Sequence, residues 1–228
     1  MTNRADGTNK PKVFVWDFHG TLEEGVEIGF FEILKKLAKK YEAGRKISLS
    51  EVRKKYGITV ADYLRYFFPK ATTSQIKKMM EEVAKIQNQN HLKKYVRPAP
   101  GAIEVLSKIK EAGYENVVVS NSHPKHIEFL IDIVGMKNLI DHVFAVDRHY
   151  SPKKQDPVKE KVKIFEAIIK RRKLKSRQLI AIGDKATDVN AGILAGATTY
   201  HYLPKKFPID KTNADFKIHN LREILREI

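Results

Sequence analysis

The sequence predicts an α/β fold, a doubly wound parallel sheet interrupted by one inserted helical unit. Three observations carry this expectation. Short apolar runs at 13–16, 116–119, 142–146, 178–182 and 198–203 alternate with segments of helical period, the pattern of strands and helices wound about a parallel sheet. Residues 26–92 carry helical periodicity alone, with no strand signal. Three of the apolar runs stop abruptly at polar residues, namely Asp17, Ser120-Asn121 and Gly183-Asp184. Parallel strands deliver such ends to one edge of the sheet, where ligands bind.

Taken in order, residues 1–11 are polar and read as a mobile tail. Val13-Phe14-Val15-Trp16 is apolar on both faces, as a fully buried strand requires. Asp17 follows it on a rigid element, Gly20 allows a sharp turn, and Thr21 supplies a hydroxyl. The segment 26–41 places Ile28, Phe31, Ile33, Leu34, Leu37 and Ala38 at helical spacing. Ser48 and Glu51 fit a capping box that opens a second helix. A third spans 60–68 before Pro69, and a fourth runs from Thr73 to about Asn90.

Pro98-Ala99-Pro100-Gly101 is the strongest punctuation, and the pattern changes after it. Helices are expected at 102–112, 127–134, 158–172 and 186–195, each between two strands, with a short terminal helix at 221–228. The division is a core domain of residues 12–25 and 93–228, with a helical cap domain of residues 26–92. Tyr63, Tyr66, Phe67 and Phe68 are candidates to face a cleft, although aromatics at this spacing ordinarily pack a core. His123 and Lys125 stand just past a strand end.

Composition bounds the chemistry. The chain of 228 residues has 42% hydrophobic and 31% charged residues, which suits a globular domain. With no cysteine, disulfides, zinc–thiolate sites and cysteine nucleophiles are excluded. No run is apolar enough to span a bilayer and the N-terminus lacks the apolar region of a signal peptide, so a cytoplasmic location and no membrane partner are the default expectations. The net charge of +16 comes from lysines spread along the chain, the pattern of a solvated surface. It would still draw phosphorylated small molecules. The basic run from Lys170 to Arg177 has no nucleic-acid motif beside it, so a nucleic-acid partner is not expected.

The strand ends point to phosphate chemistry. Asp184 and Asp188, four residues apart and facing Asp17, form a set of oxygen ligands for a hard cation. Ser120, near a helix N-terminus, can donate to a phosphate oxygen. Each feature also has an ordinary explanation: Ser120 as a helix cap, Asp188 as a carboxylate favoured by the helix dipole. Their agreement on one edge is what the ordinary explanations leave out.

On these residues the chain resembles the haloacid dehalogenase-like hydrolases from Lys12 to about Leu203. Asp17-Phe18-His19-Gly20-Thr21 is similar to the first motif, Asp-x-Asp-Gly-Thr, with His19 in place of the second aspartate. Ser120 and Asn121 are similar to the second motif, and Gly183-Asp184 with Asp188 to the fourth. The third motif is a lysine opening the helix before the last of these strands. Spacing points to Lys161, with Lys159 and Lys154 as alternatives. The residues 26–92 match the cap inserted after the first motif in many members, and the subgroup resembled is the phosphoglycolate-phosphatase-like enzymes.

The resemblance implies a Rossmann-like core and a phosphatase acting on a small phosphorylated metabolite. Asp17 would be the nucleophile of an aspartyl-phosphate mechanism. Mg²⁺ would be held by Asp17, Asp184 and the main-chain carbonyl of His19, with Asp188 as ligand or orienting group. Lys161, Ser120, Asn121 and Thr21 would hold the phosphate. The displaced second aspartate is the family's acid–base group. His19 is therefore a substitute acid/base, a bystander in a slow enzyme, or the mark of lost activity, in that order of expectation. The alternatives are a metal-independent dehalogenase-type hydrolase and a low-activity binding or regulatory protein. Neither the substrate nor the oligomeric state is written in the sequence.

Overall fold

The computed structural model describes residues 11–87, 90–147 and 156–228. Residues 1–10 of the expected tail, and Lys154, lie outside the described residues. In chain order the elements are β1 (Val13–Trp16), β2 (Glu23–Glu24), α1 (Val26–Lys40), α2 (Leu49–Lys54), α3 (Val60–Phe67), α4 (Thr73–Gln87), β3 (Arg97–Pro98) and α5 (Ala102–Glu111). There follow β4 (Glu115–Ser120), α6 (Pro124–Ile133), β5 (His142–Ala145), α7 (Pro157–Arg172), β6 (Leu179–Gly183), α8 (Ala186–Leu194), β7 (Thr198–Tyr202) and β8 (Phe216–Ile218).

Six strands form one sheet in the order β5-β4-β1-β6-β7-β8, with every neighbouring pair parallel. Alternation along the central strands builds two cores. Phe14, Trp16, Val118, Ile180 and Ile182 face one way, onto Val105, Leu106 and Ile109 of α5 and Ile127 and Leu130 of α6. Val13, Val15, Val117, Val119 and Ala181 face the other, onto Phe165 and Ile168 of α7 and Ala191 of α8. A strand buried on both faces is apolar at every position, which is why β1 reads as an unbroken hydrophobic run.

The helical insert has its own core of Ile33, Leu34, Leu37, Leu64, Phe67, Met79 and Val83. Val26, at the start of α1, and Leu92 pack instead in the core beside the sheet. The predicted capping box forms: the Glu51 amide donates to Ser48 Oγ at 3.2 Å, and the Ser48 amide donates to Glu51 Oε2 at 3.3 Å.

The sequence missed a two-stranded antiparallel pair, β2 with β3, which ties together the two crossings between sheet and insert. Two-residue strands carry no periodicity to detect. It also missed the edge strand β8. Helix α6 starts at Pro124, three residues earlier than expected, because proline fits a first helical position. The expected terminal helix is a 3-10 helix over Leu221–Glu227, which sets the buried Leu221 and Ile224 on one ridge. Among the described residues, no helix is long and apolar enough to cross a membrane.

One buried polar group fixes the sheet against its helices. Asn116, fully buried on β4, accepts from Trp16 Nε1 at 3.0 Å and donates to the carbonyls of Leu106 at 2.9 Å and Leu139 at 3.0 Å. Asn116→Ala strands all three partners, and a buried group left unpaired is expensive. The expected loss is about 3 kcal/mol of stability, read as a lower urea midpoint at unchanged slope.

Candidate active site

Asp17 leaves β1 while still tied to the sheet, its amide donating to the Ile182 carbonyl of β6 at 2.8 Å. The chain then folds back on itself. The amides of Thr21, Leu22 and Glu23 all donate to the Phe18 carbonyl. Gly20 makes this possible with φ of +80°, and a Cβ there would stand 2.8 Å from Asp184 Oδ2. Gly183 is held to glycine by the same crowding: its Cβ would fall 2.3 Å from that of Asp188.

The strand ends bring together Asp17, Asp184 and Asp188, whose ligand oxygens lie within 4.8 Å of one another. Lys161, on α7 and only 1% exposed, donates to Asp17 Oδ1 at 2.9 Å, to Asp188 Oδ1, and to the Val119 carbonyl at 3.1 Å. Of the candidate lysines that are described, Lys161 reaches the carboxylates and Lys159 is exposed. Asp188 also serves its own helix, accepting from the Lys185 amide at 3.1 Å.

Charge in this cluster does not balance. Three carboxyl groups face two ammonium groups, those of Lys161 and of Lys185, the latter with its Nζ 3.3 Å from Asp184 Oδ2, so full ionisation would leave one negative charge in surplus. Burial raises the Asp184 carboxyl well above the ordinary range; Lys185 opposes this, and Asp17 and Asp188 add to it. Burial likewise raises Asp188, against the pull of Lys161. For Lys161 itself, burial disfavours the ammonium, but Asp17 and Asp188 outweigh it and hold it charged. Both Asp184 oxygens are buried and meet no hydrogen-bond donor; the contact with Lys185 is an ion pair without hydrogen-bond geometry. Carboxyl oxygens without a hydrogen-bond donor, in a set of three carboxyl groups facing two ammonium groups, fit a divalent cation.

These strand ends open into a cavity of about 600 Å³ between sheet edge and helical insert. Asp17, His19, Ser120, Asn121 and Asp188 line it. Ser120 Oγ accepts from the Ser122 amide at 3.3 Å, and Asn121 Oδ1 is buried without a partner. Thr21 is fully buried, off the cavity wall, with its Oγ1 unpartnered. Of the aromatic candidates, Tyr63 lines the cavity, Phe67 and Phe68 are in the insert's core, and Tyr66 is exposed. His123 lines it and Lys125 does not.

His19 is not isolated. Its Nδ1 lies 2.8 Å from Oε1 of Glu23, whose side chain is fully buried on β2. Burial raises the Glu23 carboxyl, with His19 pulling it back down, and Glu23 Oε2 has no partner. Sequence reasoning passed over Glu23, although its place four residues after His19 was a signal. It also passed over Tyr56, which reaches from the insert to stack on Phe207 at 4.2 Å, with Lys185 Nζ 5.5 Å from both ring centres. No local pattern marks such a contact.

The model of the haloacid dehalogenase-like hydrolases matches residues 14–201. The chain belongs to this family. Three solved structures share the fold of this haloacid dehalogenase-like hydrolase. A predicted phosphoglycolate phosphatase from Haemophilus somnus is 19% identical with a TM-score of 0.76, over 96% of this chain and 99% of that one. A haloacid dehalogenase-like hydrolase from Streptococcus pneumoniae is 15% identical with a TM-score of 0.74, over 95% and 97%. A hydrolase of the same family from Deinococcus radiodurans, solved with bound phosphate and sodium, is 18% identical with a TM-score of 0.66, over 94% and 93%. No curated protein matches.

In this haloacid dehalogenase-like hydrolase the close approach of β6 to the start of α8 is a steric matter that can be tested without substrate. Gly183→Ala forces a methyl into the Asp188 side chain. The expected cost is about 1–3 kcal/mol, measured by chemical denaturation; an unchanged midpoint would show that Asp188 moves aside freely.

Proposed function

We propose that this hydrolase is a Mg²⁺-dependent phosphatase that acts on a small phosphorylated metabolite through an aspartyl-phosphate on Asp17. The support is the convergence of Asp17, Asp184 and Asp188, two of them bonded to one buried lysine, with neither Asp184 oxygen hydrogen-bonded. Bound there, Mg²⁺ would neutralise charge on the phosphoryl oxygens. Further support comes from the relatives: one is described as a predicted phosphoglycolate phosphatase, another has phosphate bound.

In this reading a carboxylate oxygen of Asp17 attacks phosphorus, the ester P–O bond breaks, and His19 gives its proton to the departing alkoxide. Water then attacks the phosphorus of the aspartyl-phosphate, His19 takes a proton from it, and inorganic phosphate and the Asp17 carboxylate are released. Lys161 orients Asp17 and balances charge. Ser120 and Asn121 hold phosphate oxygens from the cavity wall, while Thr21, off that wall, belongs to the turn that presents Asp17. Glu23 accepts from His19 Nδ1, which leaves Nε2 for the leaving oxygen and favours the first of the three expectations for His19. This is the tautomer that a buried carboxylate selects.

Hydrolysis of an aryl phosphate tests the proposal. Turnover is expected with Mg²⁺ and not with chelator, and Asp17→Asn lowers it by about 10³-fold or more. His19→Asp sets a second carboxylate against buried Glu23 and lowers kcat by about 10²-fold; Glu23→Gln in the same protein recovers part of the loss. Full activity in Asp17→Asn sinks the mechanism. Turnover that survives chelation sinks the metal assignment, and halide release from a 2-haloacid without metal would put a dehalogenase in its place.

Mg²⁺ binding has its own readout. At a hundred times its dissociation constant it is expected to stabilise the fold by about 2.7 kcal/mol, seen as a raised melting temperature. Asp184→Asn removes that increment; an equal increment in this variant would exclude Asp184 as a ligand.

A further inference from the structure

The cavity is divided by chemistry. Its floor is the sheet edge, with Ser120, Asn121, His123, His126 and Lys185 around Asp17. Its roof comes from the helical insert: Phe30, Val52, Ile58, Val60, Tyr63 and Ala84. Two polar groups of that roof, the Glu27 carboxylate and the Tyr63 hydroxyl, are already engaged. Glu27 Oε1 accepts from Arg53 at 2.9 Å and 3.2 Å, and its Oε2 accepts from the Gly25 amide at 3.0 Å. The Tyr63 hydroxyl donates to the Val52 carbonyl at 2.9 Å. Tyr56 also lines the cavity, with its hydroxyl buried and without a hydrogen-bond partner. Among the described residues, Gln87 adds one amide and no cation lines the roof.

We infer that the substrate is the phosphate monoester of an apolar alcohol, its phosphate on the polar floor and its hydrocarbon against the insert. This rests on the phosphatase reading of the same site. A sugar phosphate would carry hydroxyl groups into a wall with almost nothing to pair them, and unpaired buried hydroxyls oppose binding. A second carboxylate, as in phosphoglycolate, would meet no cation on the roof and would face Glu27. An alkyl or aromatic group instead displaces water from a wall that is largely apolar. The volume of about 600 Å³ holds a phosphate with such a group to spare.

A homologous series isolates the hydrocarbon from leaving-group reactivity. Ethyl, butyl, hexyl and octyl phosphates all release a primary alkoxide, as do glycerol 3-phosphate and glucose 6-phosphate. With Mg²⁺, kcat/KM is expected to climb by up to about fourfold per methylene, and the two polar esters to fall below hexyl phosphate. In Ile58→Asn the hexyl-to-ethyl ratio is expected to shrink about tenfold. Binding of the matching alkylphosphonates to the wild type, measured calorimetrically with Mg²⁺, decides the matter without turnover. Affinity that rises with chain length while no ester is hydrolysed keeps the apolar site and removes the phosphatase. Affinity that is flat, falling or absent across the phosphonates, or a preference for glycerol 3-phosphate over hexyl phosphate, overturns the inference and leaves the phosphatase reading to stand on its own test.

Discussion

Lys161 is the point on which the rest of the structure depends. One ammonium group on α7 joins a carboxylate at the end of β1, a carboxylate at the start of α8 and a carbonyl of β4. A lone buried cation is costly, and a lone pair of facing buried carboxylates is costly too. Together they remove most of each other's penalty and fix the angles at which four elements meet. The compensation is incomplete, because two ammonium groups answer three carboxylates. That residue of negative charge is functional potential that the fold stores beside the cavity.

Most of the fold was legible in the sequence because buried parallel strands leave an unmistakable apolar run and helices leave a period. Among the described residues, five of the six sheet strands and all eight α-helices fall where those signals predict. What escaped were elements too short or too exposed to have a signal: the β2–β3 pair and the edge strand β8. The site was legible to the same depth. Residues at strand ends could be found, since topology alone gathers them. Lys161 needed the spacing of a resemblance to separate it from its many lysine neighbours, and its burial is what sets it apart in space. Glu23 stands only four residues from His19, but nothing in that spacing marks its burial, and Tyr56 acts across a tertiary contact from the insert to Phe207, which no window of sequence describes.

The insert contributes in a different manner from the sheet. The sheet supplies charge and hydrogen bonds at fixed positions, and the insert supplies a mostly apolar wall on which Glu27 and Tyr63 are bonded within the insert. A division of this kind lets one surface hold the group common to many substrates while the other selects among them.

The pairing of β1 has a consequence for how the chain reaches this state. Val13 lies beside Glu115 on one side and Leu179 on the other. The first strand made is therefore the middle strand of the sheet, and it stays without one neighbour until most of the polypeptide exists. Contacts so distant along the chain close slowly. Asp17, Lys161, Asp184 and Asp188 can meet only after that closure. A chain that ends before α7 would carry the Asp17 carboxylate with neither the lysine nor the two carboxylates that surround it in the folded protein.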